Sequence, residues 1–421
     1  MTERFSVAQG ISLTTCTTDR FKTGYFTVNF LRPLCRQEAA KNALLAGVLM
    51  RGTEKYPELL SISRKLDELY GCDLGTLIRK KGEVQCIGFC ADFLDDDFTE
   101  GEPVFRETLR MLREILLHPV KQGNGFRSDY NGQEKENLIN TIEGKINSKR
   151  LYATSQMLKN MCSEEAFGID KLGAKEDVRE ISPQSLFAHY ENFISTSCVE
   201  IIYIGARPAA QVLACVRENF GDMPRGELVK PSTELDFSTR EVKRVEESLN
   251  VTQGKLVMGF RAGHTGREDD WYKFIAMNFV FGCGVTSKLF MNVREKMSLC
   301  YYASASVEKF KGLMIVSSGI DFDKKEKTEK AILEQLQACR NGEISEEELS
   351  SAKRQMISNQ KTVTESQESL EEFYLGQILL ERGFEPLKLI DKISALTVQD
   401  ISSCAKEVRL DTVYFLKGAA R

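Results

Sequence analysis

A weak internal repeat constrains this chain more than any other feature. Gly24-Tyr25-Phe26-Thr27-Val28-Asn29-Phe30 reads as a strand, and an apolar helix follows over 39–50. Gly254-Lys255-Leu256-Val257-Met258-Gly259-Phe260 reads as a similar strand, with a similar helix over 274–281. Each half also closes alike. A helix over about 183–193, and again over about 398–408, leads into a short apolar strand, 199–206 and then 413–419, each ending in Gly-Ala. Two copies of one α+β unit of about 200 residues account for this better than one large domain. The expected division is a first domain over 1–221, a linker over 222–239 and a second domain over 240–421. The linker is placed by the run Gly221 to Ser232, which holds Pro224, Pro231, Gly221 and Gly226 and little apolar content.

Within each half, hairpin signals alternate with helices. A tight turn at 78–84 joins strands 72–79 and 83–92, and strands 301–308 and 313–320 turn at Phe310-Lys311-Gly312. Helix starts are marked by Ser182 before Pro183 and by Ser345 with Glu348, a capping box. Hydrophobic residues at 42% and charged residues at 28% fit a folded globular chain rather than a disordered one. The net charge of -4 gives no electrostatic reason to expect nucleic acid or an anionic membrane as partner. MTERFSVAQG has no apolar leader core, and no run of about 18 apolar residues occurs, so the expectation is a cytoplasmic protein. The twelve cysteines are scattered without a Cys-x-x-Cys, which suits reduced thiols, and the three histidines, His118, His189 and His264, form no local metal motif.

Three runs resemble chemistry but have simpler readings. Asp95-Asp96-Asp97 lies between a strand and a helix, where capping is expected. Glu346-Glu347-Glu348 falls in a helix first turn, where negative charge suits the macrodipole. Gly282-Cys283-Gly284 could cradle a phosphate, but Val285-Thr286-Ser287-Lys288 lacks Walker spacing, so a packing turn is expected.

The segment from Gly282-Cys283-Gly284 through Ser287-Lys288-Leu289-Phe290 and Arg294-Glu295-Lys296 to Tyr301 is far more specific. It resembles the C-terminal-half signature of the insulinase/pitrilysin zinc peptidases, which include the processing peptidases, G-G-G-x-S-S-R-L-F-x-x-L-R-E-K-R-G-L-A-Y. The two halves and their linker extend the resemblance to the whole chain. The fold it implies is α+β, with two homologous α/β sandwich halves forming a clamshell-like half of a peptidase cavity. It also implies that Arg294 and Tyr301 contact a peptide substrate, a guanidinium and a phenol being suitable donors to a carbonyl oxygen that becomes negative during attack.

The first half departs from the family. The family's inverted zinc motif, H-x-x-E-H, precedes a Gly-Thr pair. Counting back from Gly52-Thr53, its positions here are Ala43, Ala46 and Gly47, and the third ligand, seven residues after Glu134, is Thr141. Two imidazoles and a carboxylate hold the metal in such sites and another carboxylate activates water, so none of the four residues can serve. There is no histidine before His118, so shifting the alignment by a few residues restores nothing. No catalytic residue and no metal are therefore expected in this chain.

Some bacterial relatives work in pairs, one chain carrying zinc and the other the Arg/Tyr pair. The resemblance thus implies a non-catalytic, substrate-positioning subunit of a heterodimeric zinc metallopeptidase that encloses unfolded peptides. Zinc would come from an H-x-x-E-H partner, and homodimers could form when that partner is missing. The alternative is a structural scaffold or peptide-binding protein of the same fold with no role in proteolysis.

Overall fold

The computed structural model describes residues 2–238, 240–383 and 385–418. Thr239, the end of the expected linker, and Ala419, the expected end of the last apolar strand, lie outside them. The chain forms two compact units. The first comprises the chain up to Glu143, Ile169–Ser232 and Ser366–Gly376; the second comprises Gly144–Gly168, Thr233–Glu365 and the chain from Gln377 on.

In the first unit the strands are β1 (Thr2–Ala8), β2 (Ile11–Thr17), β3 (Thr23–Pro33), β4 (Asp73–Lys81), β5 (Val84–Leu94), β6 (Lys121–Gln122), β7 (Gly125–Phe126) and β8 (Cys198–Gly205). Six of them make one sheet in the order β1-β2-β8-β3-β5-β4, and β6 and β7 pair separately. The second unit holds β9 (Lys243–Leu249), β10 (Gly254–Arg261), β11 (Cys300–Glu308), β12 (Leu313–Ile320) and β13 (Arg409–Gly418), in the order β11-β12-β10-β13-β9. Taken from its other end, this sheet repeats β2-β8-β3-β5-β4 strand for strand. In both, the first pair is parallel and the next three are antiparallel. The internal repeat is thus a repeat of topology, to which the first unit adds β1.

Both sheets are built on strand alternation. Phe26, Val28 and Phe30 of β3 point to a core in which Phe26 packs near Phe105 and Phe220, and Phe30 near Phe89 and Phe193. Helices Arg36–Leu49, Val104–Leu117, Pro183–Thr196 and Ala209–Phe220 supply the other side of that core. Leu256, Met258 and Phe260 of β10 do the same in the second unit, against helices Trp271–Gly282 and Lys325–Asn341. Each of these aromatic or aliphatic side chains contributes roughly 1.5–3 kcal/mol by burial.

The opposite sheet faces are buried as well, and here the sequential division is corrected. The expected domains are continuous stretches of chain, but each unit includes a segment from the other sequence half. In the first unit, Glu371 is almost wholly buried against β3 and β4. It accepts from Arg79 (2.6 and 3.0 Å), Thr27 Oγ1 (3.1 Å) and Asn29 Nδ2 (3.0 Å). In the second unit, Met157 and Met161 of helix Lys149–Met161 cover Val257 and Gly259 of β10. A Cβ at Gly259 would lie 2.5 Å from Met157 Sδ and 2.6 Å from Met161 Sδ, so only glycine admits this helix so close. Beside it, Arg261 pairs with Glu165 (2.5 Å) and Asp411 (2.8 Å), and Lys311 with Glu165 (2.8 Å). β3 is buried along nearly its whole length, as a strand covered on both faces is.

The hairpins fall at the expected turns, with Gly82 at φ 59° and Gly312 at φ 69°. Ser182 and Ser345 cap their helices through reciprocal boxes. Asp95 caps a short turn by accepting from Asp97 N at 3.2 Å, and Asp96 accepts from Phe105 N at 2.9 Å, so this run serves local structure. Among the described residues, no helix is long and apolar enough to cross a membrane.

Candidate functional site

In the first unit, Ala43, Ala46 and Gly47 share the helix Arg36–Leu49. Ala43 and Ala46 are core residues, and Ala46 is completely buried. Glu134, from helix Ser128–Gly144, lies directly on Gly47, where a Cβ would meet its Oε2 at 2.5 Å. Its carboxylate is held by Arg51 Nε (2.5 Å) and by Asn137 Nδ2 (3.1 Å). Thr141, one helix turn past Asn137, is exposed and donates its hydroxyl back to the Asn137 carbonyl (2.8 Å). A methyl, a second methyl, a hydrogen and a self-bonded hydroxyl do not fit a zinc ion. Among the described residues no group of three His, Cys, Asp or Glu side chains could hold a metal. Beside Gly47 the structure has an Arg51–Glu134 ion pair.

The second unit carries a differently built element. Helix Trp271–Gly282 ends at a turn in which a Cβ on Gly282 would meet Ala305 Cβ at 2.5 Å, and one on Gly284 (φ 98°) would meet Gln355 Oε1 at 2.5 Å. Gly-Cys-Gly is therefore a close-packing turn. Leu289–Lys296 follows as a wide π-type helix, a form that is rare and frequent at functional sites. Its inner side is fixed by buried Leu289 and Val293 and by Lys288, whose ammonium donates to both oxygens of Glu348 at 2.9 Å. Glu348 also closes the capping box with Ser345 N at 2.8 Å, so one carboxylate anchors two helices.

The outer side carries Arg294, partly exposed, its guanidinium 4.5 Å above the Phe290 ring and 3.5 Å from Glu295. The chain then turns through Ser298, a non-glycine residue at φ 50°, into β11. Cys300 pairs with Ile320 and Tyr302 with Gly319, so Tyr301 is the extra residue of a β-bulge. Bulges redirect side chains, and Tyr301 is 60% exposed. Its hydroxyl donates to Asp321 Oδ1 at 3.0 Å, and this bond raises the phenol above its ordinary range. Asp321 also pairs with Lys324 at 2.8 Å, and Lys324 and Tyr301 together lower its carboxyl. Burial pushes the neighbouring Cys300 thiol up to about 11, against a nucleophilic role. The structure thus places Arg294 and Tyr301 on one helix–turn–strand element, Tyr301 exposed and Arg294 partly so. Asp321, which holds the phenol, carries no local sequence signal, because it reaches Tyr301 only through the β11–β12 pairing.

The fold and the Gly-Cys-Gly to Tyr301 element are those of a metallopeptidase-like chain. The chain belongs to the M16 peptidase family, as a homologue of its inactive type. The model of "Peptidase M16 inactive domain" matches residues 180–356. The chain is 32% identical over 403 residues to "Probable inactive metalloprotease YmfF" of Bacillus subtilis (strain 168), covering 95% of this chain and 94% of that one. It is 22% identical over 293 residues to "Uncharacterized zinc protease YmxG" of the same organism, covering 67% and 70%. Among solved structures it is similar to a conserved protein from Enterococcus faecalis V583, with TM-score 0.93 and 25% identity over 100% of this chain and 99% of that one.

Proposed function

We propose that this chain is the substrate-positioning subunit of a heterodimeric zinc peptidase acting on unfolded peptides in the cytoplasm. A relative of the YmxG kind, carrying H-x-x-E-H, supplies the zinc and the activated water. The observation that carries this reading is the contrast between the two units: the expected ligand positions hold alanines, a glycine and a threonine, while the helix–turn–strand element of the second unit brings a partly exposed Arg294 and an exposed, bulged Tyr301 together. A pure scaffold has no need of either side chain. Arg294 and Tyr301 orient the peptide, the guanidinium meeting the carbonyl on which negative charge develops.

Co-expression with the zinc-bearing relative, followed by size-exclusion chromatography and a peptide-cleavage assay, tests this. A stable complex should form and cleave, with neither chain active alone. Arg294→Ala should lower kcat on the order of 10²-fold without disturbing assembly, as for the loss of one donor to an oxyanion. A ground-state contact would raise KM instead. Unchanged kcat and KM for both Arg294→Ala and Tyr301→Phe, with the partner's zinc verified, would defeat the proposal.

A further inference from the structure

The hydrogen bond from Tyr301 to Asp321 has a definite polarity. A carboxylate has no proton to give, so the phenol hydrogen points at Asp321 Oδ1 (3.0 Å), and what Tyr301 turns to solvent is the lone-pair side of its oxygen. Asp321 begins the short helix Phe322–Lys324 with extended backbone, the position from which an aspartate ordinarily accepts from the helix's own N–H groups. Its side chain makes no such bond and serves Tyr301 and Lys324 instead. Lys324 also reaches back to the Ser298 carbonyl (3.4 Å), so Lys324 and Asp321 brace both the left-handed residue before β11 and the bulged tyrosine within it. An exposed phenol would otherwise rotate between donor and acceptor roles; here one role is fixed.

We infer that Asp321 is the positioning residue for Tyr301, and that Tyr301 meets the peptide as an acceptor of a backbone N–H while Arg294 donates to a peptide carbonyl. This rests on the reading of Arg294 and Tyr301 as peptide contacts, and it reverses the donor role that the family resemblance implies for the phenol. A peptide backbone offers both an acceptor and a donor, so a guanidinium that only donates and a phenol held as an acceptor are complementary to it. Together they read the backbone rather than any side chain, which gives tolerance of sequence in the substrate.

Two measurements test this. On the isolated chain, ultraviolet difference titration against Tyr301→Phe isolates the Tyr301 signal. It should titrate above the ordinary value near 10 in the native chain and return to it in Asp321→Ala. In the complex with the zinc-bearing relative, the probe is an internally quenched peptide that the complex cleaves, with a set of its singly N-methylated variants. One N-methyl position should lower kcat/KM about three- to tenfold with the native chain, the loss of one hydrogen bond. It should cost nothing further with Tyr301→Phe, and less with Asp321→Ala. Asp321→Asn, which keeps size and one acceptor oxygen, controls for folding and should retain part of the effect. A Tyr301 titration unmoved by Asp321→Ala, or an N-methyl penalty equal in the native and Tyr301→Phe complexes, would overturn the inference even if Arg294→Ala still impaired cleavage. Full activity in both Arg294→Ala and Tyr301→Phe would instead defeat the peptide-contact reading on which it rests.

Discussion

Gly47 offers a sharp test of how closely Glu134 packs on the helix Arg36–Leu49. In the middle of an exposed helix, Gly→Ala stabilises by about 1 kcal/mol, because alanine has less backbone entropy to lose. Here the added Cβ would sit 2.5 Å from Glu134 Oε2, 3.1 Å from its Cδ and 3.3 Å from its Cγ. The carboxylate cannot simply swing away, since Arg51 and Asn137 hold it. Overpacking of this kind costs about 1–3 kcal/mol, so the expected net effect of Gly47→Ala is a destabilisation of up to about 2 kcal/mol. Glu134→Ala deletes every one of those clashing atoms. In that background the same substitution should turn stabilising by up to about 1 kcal/mol, leaving a coupling of about 1–3 kcal/mol between the two sites. The assay is a double-mutant cycle by urea unfolding, with hydrogen exchange of the Arg36–Leu49 amides as a local readout. Stabilisation by Gly47→Ala in the native background, or an equal effect in both backgrounds, would refute the contact between Glu134 and Gly47.

Two further outcomes follow from the same unit. The purified chain should carry no stoichiometric zinc, and Ala43→His, Ala46→Glu, Gly47→His together should not restore it. The new carboxylate would replace the methyl of Ala46, which is fully buried, and an unpaired charge there costs on the order of several kcal/mol; the imidazole introduced at Gly47 would collide with Glu134. One tightly held zinc in metal analysis of either protein, or chelator-sensitive hydrolysis by the triple variant, would contradict this. His189 should make the unit acid-sensitive: burial lowers it from 6.5 to about 4, and its Nε2 faces Asn42 Oδ1 at 2.7 Å. Because the folded value lies below the unfolded one, the unfolded chain takes the proton first, and stability present above about pH 6.5 is lost towards pH 4, by up to about 3 kcal/mol. Urea midpoints at pH 7 and 4.5 should therefore fall less in His189→Gln than in the native chain; equal falls would show the imidazole to be irrelevant.

What was legible in the sequence was local. Turns announce themselves through Gly82 and Gly312, and helix starts through Ser182-Pro183 and Ser345 with Glu348, because the physics acts within a few residues. The repeat was legible because Phe26, Val28 and Phe30 recur as Leu256, Met258 and Phe260 at one strand register. The exchange of segments was not. Nothing in Ser366–Gly376 says that Glu371 will be buried beside Arg79, 292 residues away in sequence. The second use of Glu348, as partner of Lys288, was hidden for the same reason: its capping role already explained it. Tyr301 could be named from its motif, but the bulge that exposes it arises from pairing between two strands and has no signature in either alone.

The two units depart from ideal local structure in opposite ways. In the first unit, Ala43 and Ala46 join Ala39 and Ala40 as buried small residues of one helix, and the carboxylate of Glu134 beside them is paired with Arg51. The second unit has a π-type helix that packs through Leu289 and Val293, a left-handed Ser298 whose backbone costs of order 1–3 kcal/mol, and a bulged, exposed tyrosine that fills no core. Strain that stability does not require persists where something else depends on it. The left-handed Ser298 and the bulge that turns Tyr301 outward beside Arg294 are the physical reason to look for function there, at Arg294, Tyr301 and Asp321.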